Sequence, residues 1–111
     1  MISTFKYPFT GAGAIAASAL APAVGQHREL LSVTAHFNGD PGVEDLTITL
    51  DAVAGSAYDT LLKTQAMSGV IDFIWGPDMR IILEPGDAID LAMTGGGGKI
   101  YGIQVTMVEV S

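Results

Sequence analysis

The chain has 111 residues, five Lys and Arg against twelve Asp and Glu, a formal charge of −7 at pH 7, and no Cys. This length fits a single domain, residues 1–111, which can bury enough apolar surface to fold without disulfide bonds or a structural metal. Because the chain has no Cys, cysteine scaffolds, zinc ribbons and thiol enzymes are excluded. The five basic residues are isolated from one another, which opposes binding to nucleic acid or to anionic membranes, because both reward clustered Lys and Arg.

The first ten residues mix aromatic and polar side chains, and the pattern predicts an N-terminal arm or an edge strand over residues 1–10. Phe5, Tyr7 and Phe9 are the candidate partner-binding residues of this segment, since aromatic side chains supply much of the binding energy at interfaces. Ordinary packing at the edge of a sheet explains the three rings equally well.

An Ala-rich stretch follows over residues 12–24 and is too short to span a membrane as a helix. Ala favours a helix, whereas Gly13 and Pro22 bracket the segment closely, so that a strand over Ala14–Ala19 is preferred and a helix stays open. A secretory signal with an Ala-x-Ala site is a further alternative, disfavoured because Lys6 is the single positive charge before it.

The clearest two-residue repeats lie in the middle of the chain. Leu31–Phe37 and Leu46–Asp51 both alternate apolar and polar residues, which is typical of strands with one buried face. The link between them, residues 38–43, reads Asn-Gly-Asp-Pro-Gly-Val and consists of turn residues. The sequence therefore predicts that the two strands form a hairpin.

Further strands are predicted along the rest of the chain, each bounded by a turn. They are Tyr58–Thr64, Ile71–Trp75, Met79–Leu83, Ile89–Met93 and Ile100–Val110. The four consecutive glycines at 95–98 are expected to form a mobile hairpin tip rather than a phosphate-binding loop, because a strand and not a helix follows them. Eight or nine short strands predict an all-β fold, an antiparallel sandwich or a barrel.

Catalytic and metal-binding patterns are weak. His27 and His36 are expected to be partly exposed polar side chains, and the nucleophile elbow Gly-x-Ser-x-Gly does not occur. Asp40, Glu44 and Asp45 could supply oxygen ligands for calcium, but their spacing does not match a calcium loop of the EF-hand type, and turn chemistry is the preferred explanation. Asp87 and Asp90 form a second, looser acidic pair. We therefore expect no enzyme activity, no metal and no cofactor.

Trp75 is the fourth candidate partner-binding residue. Phe73 and Trp75 share the face of Ile71 in the predicted strand, which favours a place in the core over an exposed binding role. The alternative is a carbohydrate-binding or host-surface-binding module that uses the loop side chains Trp75, Asp78 and Asp59. A hydrolase that depends on His36 or on a loop carboxylate is a third and less favoured hypothesis.

The order of the strand and turn motifs resembles small structural proteins encoded by tailed bacteriophages. The likeness covers about Gln26–Val110 and rests on His27–Val33, Leu46–Asp51, Gly55–Leu62, and Leu83–Asp87 through Tyr101-Gly102. The resemblance implies an antiparallel β-sandwich of jelly-roll type that decorates or cements a phage capsid, or that sits on a tail or fibre, commonly as a trimer. It also implies a virion protein made in the host cytoplasm, with the phage major capsid protein or another virion protein as partner.

The distribution of apolar residues agrees with assembly into a homo-oligomer. Charged residues make up only 15% of the chain, which leaves few polar side chains to cover a small domain. The last strand is apolar on both faces, since Val108 and Val110 lie opposite Ile103 and Val105. We expect the second face of this strand to be covered by the Ala-rich segment or by a neighbouring copy.

Overall fold

The computed structural model describes residues 3–22 and 24–110, and in this part of the chain it contains nine β-strands and one turn of 3₁₀ helix. The strands are β1 (Thr4–Ala12), β2 (Ile15–Leu20), β3 (His27–Phe37), β4 (Asp45–Asp51), β5 (Thr60–Ala66), β6 (Asp72–Trp75), β7 (Ile82–Leu83), β8 (Ala88–Met93) and β9 (Ile100–Val110). The 3₁₀ helix, Ser56–Tyr58, precedes β5. No helix in the described ranges is long and apolar enough to cross a membrane.

The strands form two antiparallel sheets that pack face to face. The first sheet has the order β1-β9-β3-β6, with β7 paired to the free end of β3, and the second has the order β2-β8-β4-β5. The chain passes repeatedly from one sheet to the other, so that most neighbours in a sheet are distant in sequence, whereas β4 and β5 are consecutive. This arrangement is a jelly roll, and it confirms the predicted all-β sandwich.

The core lies between the two sheets and is built from the alternating apolar positions that the sequence shows. Val33 of β3, Ile48 of β4 and Val105 of β9 are completely buried. In each strand the residues directly before and after the buried one point outward. A slip of one residue in any of these strands would turn its apolar row to solvent, so the pattern fixes the register.

The predicted hairpin between Leu31–Phe37 and Leu46–Asp51 is wrong. β3 pairs with β9, β6 and β7 in the first sheet, whereas β4 pairs with β5 and β8 in the second. Alternation specifies that one face of a strand is buried, and two strands satisfy it equally well by facing each other across a core. The link of residues 38–44 is long enough to span the distance of about 10 Å between packed sheets.

Three other local predictions also change. Tyr58 does not begin a strand, because its backbone N–H closes a turn on the carbonyl of Gly55 at 3.0 Å, and β5 starts at Thr60 and continues to Ala66. The glycines at 95–98 do not form a hairpin tip, since β8 and β9, which they connect, belong to different sheets. The extended segment predicted over Met79–Leu83 is reduced to the short strand β7.

The Ala-rich stretch is a strand, as preferred over the helix. β2 pairs with β8 and turns Ile15 and Ala19 into the core, while Ala23 lies outside the described residues. Because β2 belongs to the second sheet, it does not cover the outer face of β9, which lies on the far side of the first sheet. Val108 and Val110 on that face remain partly exposed.

Candidate binding surfaces at the two edges of the sandwich

The sandwich has two open edges, and the four candidate partner-binding residues divide between them. β1 and β2 form one edge, and β5 and β6 form the other. Phe5, Tyr7 and Phe9 lie on β1, whereas Trp75 lies on β6, at the opposite side of the same sheet. The structure therefore does not bring the four residues together into one site.

The three aromatic residues of β1 point inward. They pair in register with Met107, Val105 and Ile103 of β9, all of which are buried, and their rings pack at the margin of the core. Each ring keeps part of its surface exposed. Their side chains thus combine an ordinary packing role with an accessible rim, and the structure leaves their role in partner binding as a prediction.

Arg28 holds β1 in place. Its guanidinium lies 3.6 Å from the centre of the Phe5 ring, and its Nη1 donates a hydrogen bond to the hydroxyl of Tyr7. A cation over an aromatic face is attractive, and the hydrogen bond fixes the orientation of the guanidinium. Arg28 thus links Phe5 and Tyr7 within the chain.

The opposite edge contains a cleft of about 310 Å³ between the last strand of each sheet. Its wall includes Leu62 and Lys63 from β5, Trp75 from β6, and Asp78, Met79 and Ile81 from the loop that leads to β7. Trp75 packs with one part of its ring against the core and presents the rest to the cleft. An aromatic platform, an ammonium group and a carboxylate group thus share one small cleft.

A second hollow lies on the other side of the same loop. It has a volume of about 340 Å³ and is lined by Leu31 of β3 together with Asp78 and Met79. Arg80 and Glu29 border it and form a salt bridge with an N–O distance of 3.0 Å. Asp78 and Met79 therefore stand on a ridge between two hollows.

Asp40, Glu44 and Asp45, the residues considered for calcium and assigned to turn chemistry instead, do not converge on one point. Oδ1 of Asp40 accepts hydrogen bonds from the backbone N–H groups of Gly42 at 2.8 Å and of Gly69 at 2.9 Å, and these bonds lower the pKa of Asp40 below its ordinary value. Glu44 instead accepts a hydrogen bond from the hydroxyl of Thr94 at 2.8 Å. Within residues 3–22 and 24–110, no group of three or more potential ligands is placed to hold a metal ion. Asp40 and Glu44 therefore stabilise the loops around them through hydrogen bonds.

Asp87 and Asp90, the second acidic pair, have separate partners. Asp87 is buried and accepts backbone hydrogen bonds from Val53 and from Glu84, each at 2.9 Å. Asp90 lies on the outer face of β8 and accepts a hydrogen bond from the Ser18 hydroxyl at 2.6 Å. Asp87 follows the turn Glu84-Pro85-Gly86 and caps backbone donors, which agrees with the turn chemistry preferred for the acidic residues.

The histidines stay on the surface. His27 is exposed, and His36 lies on the outer face of β3 with its Nδ1 2.5 Å from Oδ1 of Asp72. Both side chains of this pair are about 70% exposed, at 68% and 72%. In the described part of the chain no hydroxyl group is hydrogen-bonded to His36, so the structure does not assemble the nucleophile and base that a serine hydrolase uses.

The fold and its two edges define the chain as an antiparallel jelly-roll sandwich. No family model matches the sequence, and no curated protein matches it. A chain in the structure of infectious bursal disease virus, Gx strain, superposes on 99% of this chain with a TM-score of 0.51 and 16% identity. The matched region is 32% of that viral chain, so this chain spans about a third of its length.

Two further structures align with lower scores. The infectious bursal disease virus VP2 subviral particle gives a TM-score of 0.42 and 17% identity over 97% of this chain and 32% of the viral chain. Turnip yellow mosaic virus gives 0.35 and 15% over 100% of this chain and 95% of the viral chain. The first comparison shows a shared fold at an identity too low to show a shared function.

Proposed function

We propose that this protein is a non-enzymatic structural component of a virus particle. The observation that carries the proposal is the jelly-roll strand order, which superposes over 99% of the chain on part of a chain in an infectious bursal disease virus structure. The sandwich offers two open edges and an exposed sheet face, which are surfaces suited to contacts between subunits. Made in the host cytoplasm, the protein would become part of the virion.

The finer form of the proposal is decoration or cementing of a phage capsid by a symmetric homo-oligomer, a trimer. The strand and turn motifs that resemble small phage structural proteins support it, as does the low charged fraction of 15%. A subunit that bridges neighbouring shell proteins binds the assembled state and not the separated proteins. It therefore stabilises the particle by mass action.

Phe5, Tyr7, Phe9 and Trp75 remain the proposed contact residues, through the exposed rims of their rings. Deleting residues 1–10 is a poor test of this role, because β1 is hydrogen-bonded to β9 along Thr4–Ala12 and anchored by Arg28. We expect that deletion to lower the melting temperature as well as any binding. Circular dichroism melting of the truncated chain checks this expectation.

The test of the function is co-sedimentation with phage heads that lack the protein, combined with light scattering of the purified chain. We expect a symmetric oligomer that pellets with the heads and raises their resistance to heat. A protein that stays in the supernatant, and heads whose heat resistance does not change when it is added, would contradict the proposal.

A carbohydrate-binding module is the second candidate. The specific observation in its favour is that Trp75 and Asp78 line one cleft with Lys63, since an aromatic face with polar groups at its rim suits a sugar ring. Asp59, the third residue predicted for this role, instead accepts a hydrogen bond from the backbone N–H of Ala52 at 2.8 Å. A glycan array distinguishes the two functions, because the structural role predicts no bound glycan.

A further inference from the structure

The exposed apolar side chains of this protein gather at the edge formed by β5, β6 and β7. Seven of the large hydrophobic residues that remain more than a third exposed belong to these strands, to their flanking turns or to the adjoining bulge of β3: Leu31, Tyr58, Leu61, Ile71, Ile74, Met79 and Ile82. The opposite edge turns Thr4, Lys6, Pro8, Thr10 and Ala12 of β1 outward and exposes one large apolar side chain of β2, Leu20. Large exposed apolar side chains on neighbouring elements are expected where a protein makes contact with a partner.

An exposed side chain and a cleft, the two parts that a self-complementary contact needs, lie side by side at this edge. Met79 is 78% exposed and stands on the ridge between the two hollows, so that its side chain is a knob. The cleft beside it has an apolar part, made by Leu62, Trp75 and Ile81, and a polar part made by Lys63 and Asp78. A flexible thioether packs well against an aromatic ring, so Met79 of a second copy is a chemically suitable neighbour for Trp75.

The charges of the cleft are self-complementary as well. Lys63 and Asp78 line the same cleft. Among the described residues the salt bridges are Glu29–Arg80 and His36–Asp72, so neither Lys63 nor Asp78 has an ionic partner there. A two-fold axis through the edge would place Lys63 of each copy near Asp78 of the other, because an isologous contact pairs residue i with j and j with i.

We propose that this edge is a two-fold interface between two copies of the chain, with the loop of residues 76–81 of each copy packed into the cleft of the other. The proposal rests on the self-association in the proposed function and names the surface that carries part of it. A two-fold contact makes a dimer by itself, and it joins two trimers where a three-fold contact also exists. The occupant of the cleft is therefore a second copy and not a sugar.

The first experiment replaces Met79. Met79→Asp places a charge in the apolar contact, and Val43→Asp, which is 92% exposed in the loop before β4, is the matched control. Light scattering of each purified variant should give half the wild-type mass for Met79→Asp and the full mass for Val43→Asp. Trp75 is the single tryptophan, so its fluorescence should shift to the red only in Met79→Asp. Unchanged mass in Met79→Asp overturns the proposal.

The second experiment exchanges the charges. Lys63→Asp and Asp78→Lys each place like charges opposite one another across the two-fold axis, and each should weaken the contact about tenfold or more. An equimolar mixture of the two variants restores both opposite-charge pairs and should recover the wild-type mass. A mixture that keeps the reduced mass overturns the two-fold arrangement. Melting by circular dichroism shows that each variant is folded.

Co-sedimentation with phage heads separates this inference from the proposed function. If the mass of the variants is unchanged while the wild type still binds heads, the interface is wrong and the virion role stands. If the mass is halved as expected but the wild type does not bind heads, the interface stands and the virion role falls. Oligosaccharide that quenches Trp75 fluorescence equally in the wild type and in Met79→Asp, with no change of mass, overturns the interface.

Discussion

At the scale of single residues, the carboxylates on the outer face of the second sheet are arranged unfavourably for one another. Asp51 of β4 and Asp90 of β8 are diagonal neighbours, because Thr49 pairs with Asp90 and Asp51 pairs with Ala88. The negative charge of Asp90 and a side-chain hydrogen bond with it raise the pKa of Asp51 above the ordinary value of 3.8. Two like charges at this spacing destabilise a sheet.

This arrangement predicts a pH dependence. Because the folded chain holds the proton of Asp51 more tightly than the unfolded chain, stability falls as the pH rises from 3.8 through the raised pKa of the folded state. Asp51→Asn should therefore raise the melting temperature slightly at pH 7 and leave it unchanged near pH 3. Asp45→Asn, at the exposed start of the same strand, is the control. A lower melting temperature at pH 7 for Asp51→Asn would contradict this account.

Asp87 makes the opposite kind of contribution. Its buried carboxylate satisfies two backbone N–H groups, those of Val53 and Glu84, and so ties the turn before β8 to the loop after β4. Asp87→Ala leaves both donors without this acceptor and should lower the free energy of unfolding by about 2–4 kcal/mol. Glu84→Ala removes an exposed carboxylate from the same turn as a control. Urea denaturation measures both, and equal losses would argue against the role of Asp87.

At the scale of elements, the glycine run between β8 and β9 shows how a connection depends on its surroundings. All four glycines have positive φ, from 60° to 95°, which side chains rarely adopt. Gly96 is also enclosed, since an added Cβ would lie 2.8 Å from the carbonyl oxygen of Gly13 and 2.9 Å from Cε of Met93. Gly98 has open space around the same position. The glycine run is thus closely packed at Gly96 and has open space around Gly98.

These two glycines give a matched pair of substitutions. Gly98→Ala should cost about 1–2 kcal/mol for the left-handed backbone alone. Gly96→Ala should cost more, because the methyl group also collides with the turn at Gly13. Thermal unfolding of the two variants measures the difference, and equal destabilisation would show that the crossover is looser than the distances indicate.

At the scale of the whole molecule, the jelly roll joins the two ends of the chain. Thr4 of β1 pairs with Val108 of β9, and β3 lies on the other side of β9, so the first sheet cannot form until the last strand is present. Sheets dominated by pairings distant in sequence fold slowly, because loop closure precedes the gain from contacts. We predict that the chain refolds in milliseconds to seconds. The fluorescence of Trp75 after stopped-flow dilution from urea measures this rate. Refolding in microseconds would contradict the assigned topology.

The edges of the sandwich explain why the candidate site was only partly predictable. Sequence alternation correctly placed Phe73 and Trp75 on one face of a strand, and it correctly placed His36 on the solvent side of β3. It could not show that β5 lies beside β6 across an open edge, since the cleft between Leu62 and Trp75 depends on which strands end each sheet. It also gave no sign that Lys63 and Asp78 would share that cleft.

The amino-acid sequence by itself determined the all-β class, the buried face of each main strand and the choice of strand over helix for the Ala-rich segment. These properties depend on local alternation and on where Gly and Pro interrupt it. Only the tertiary structure decided that Leu31–Phe37 and Leu46–Asp51 face each other across the core instead of pairing. A one-sided strand gains the same burial from either arrangement, and the partner is chosen by how all nine strands fill two layers at once.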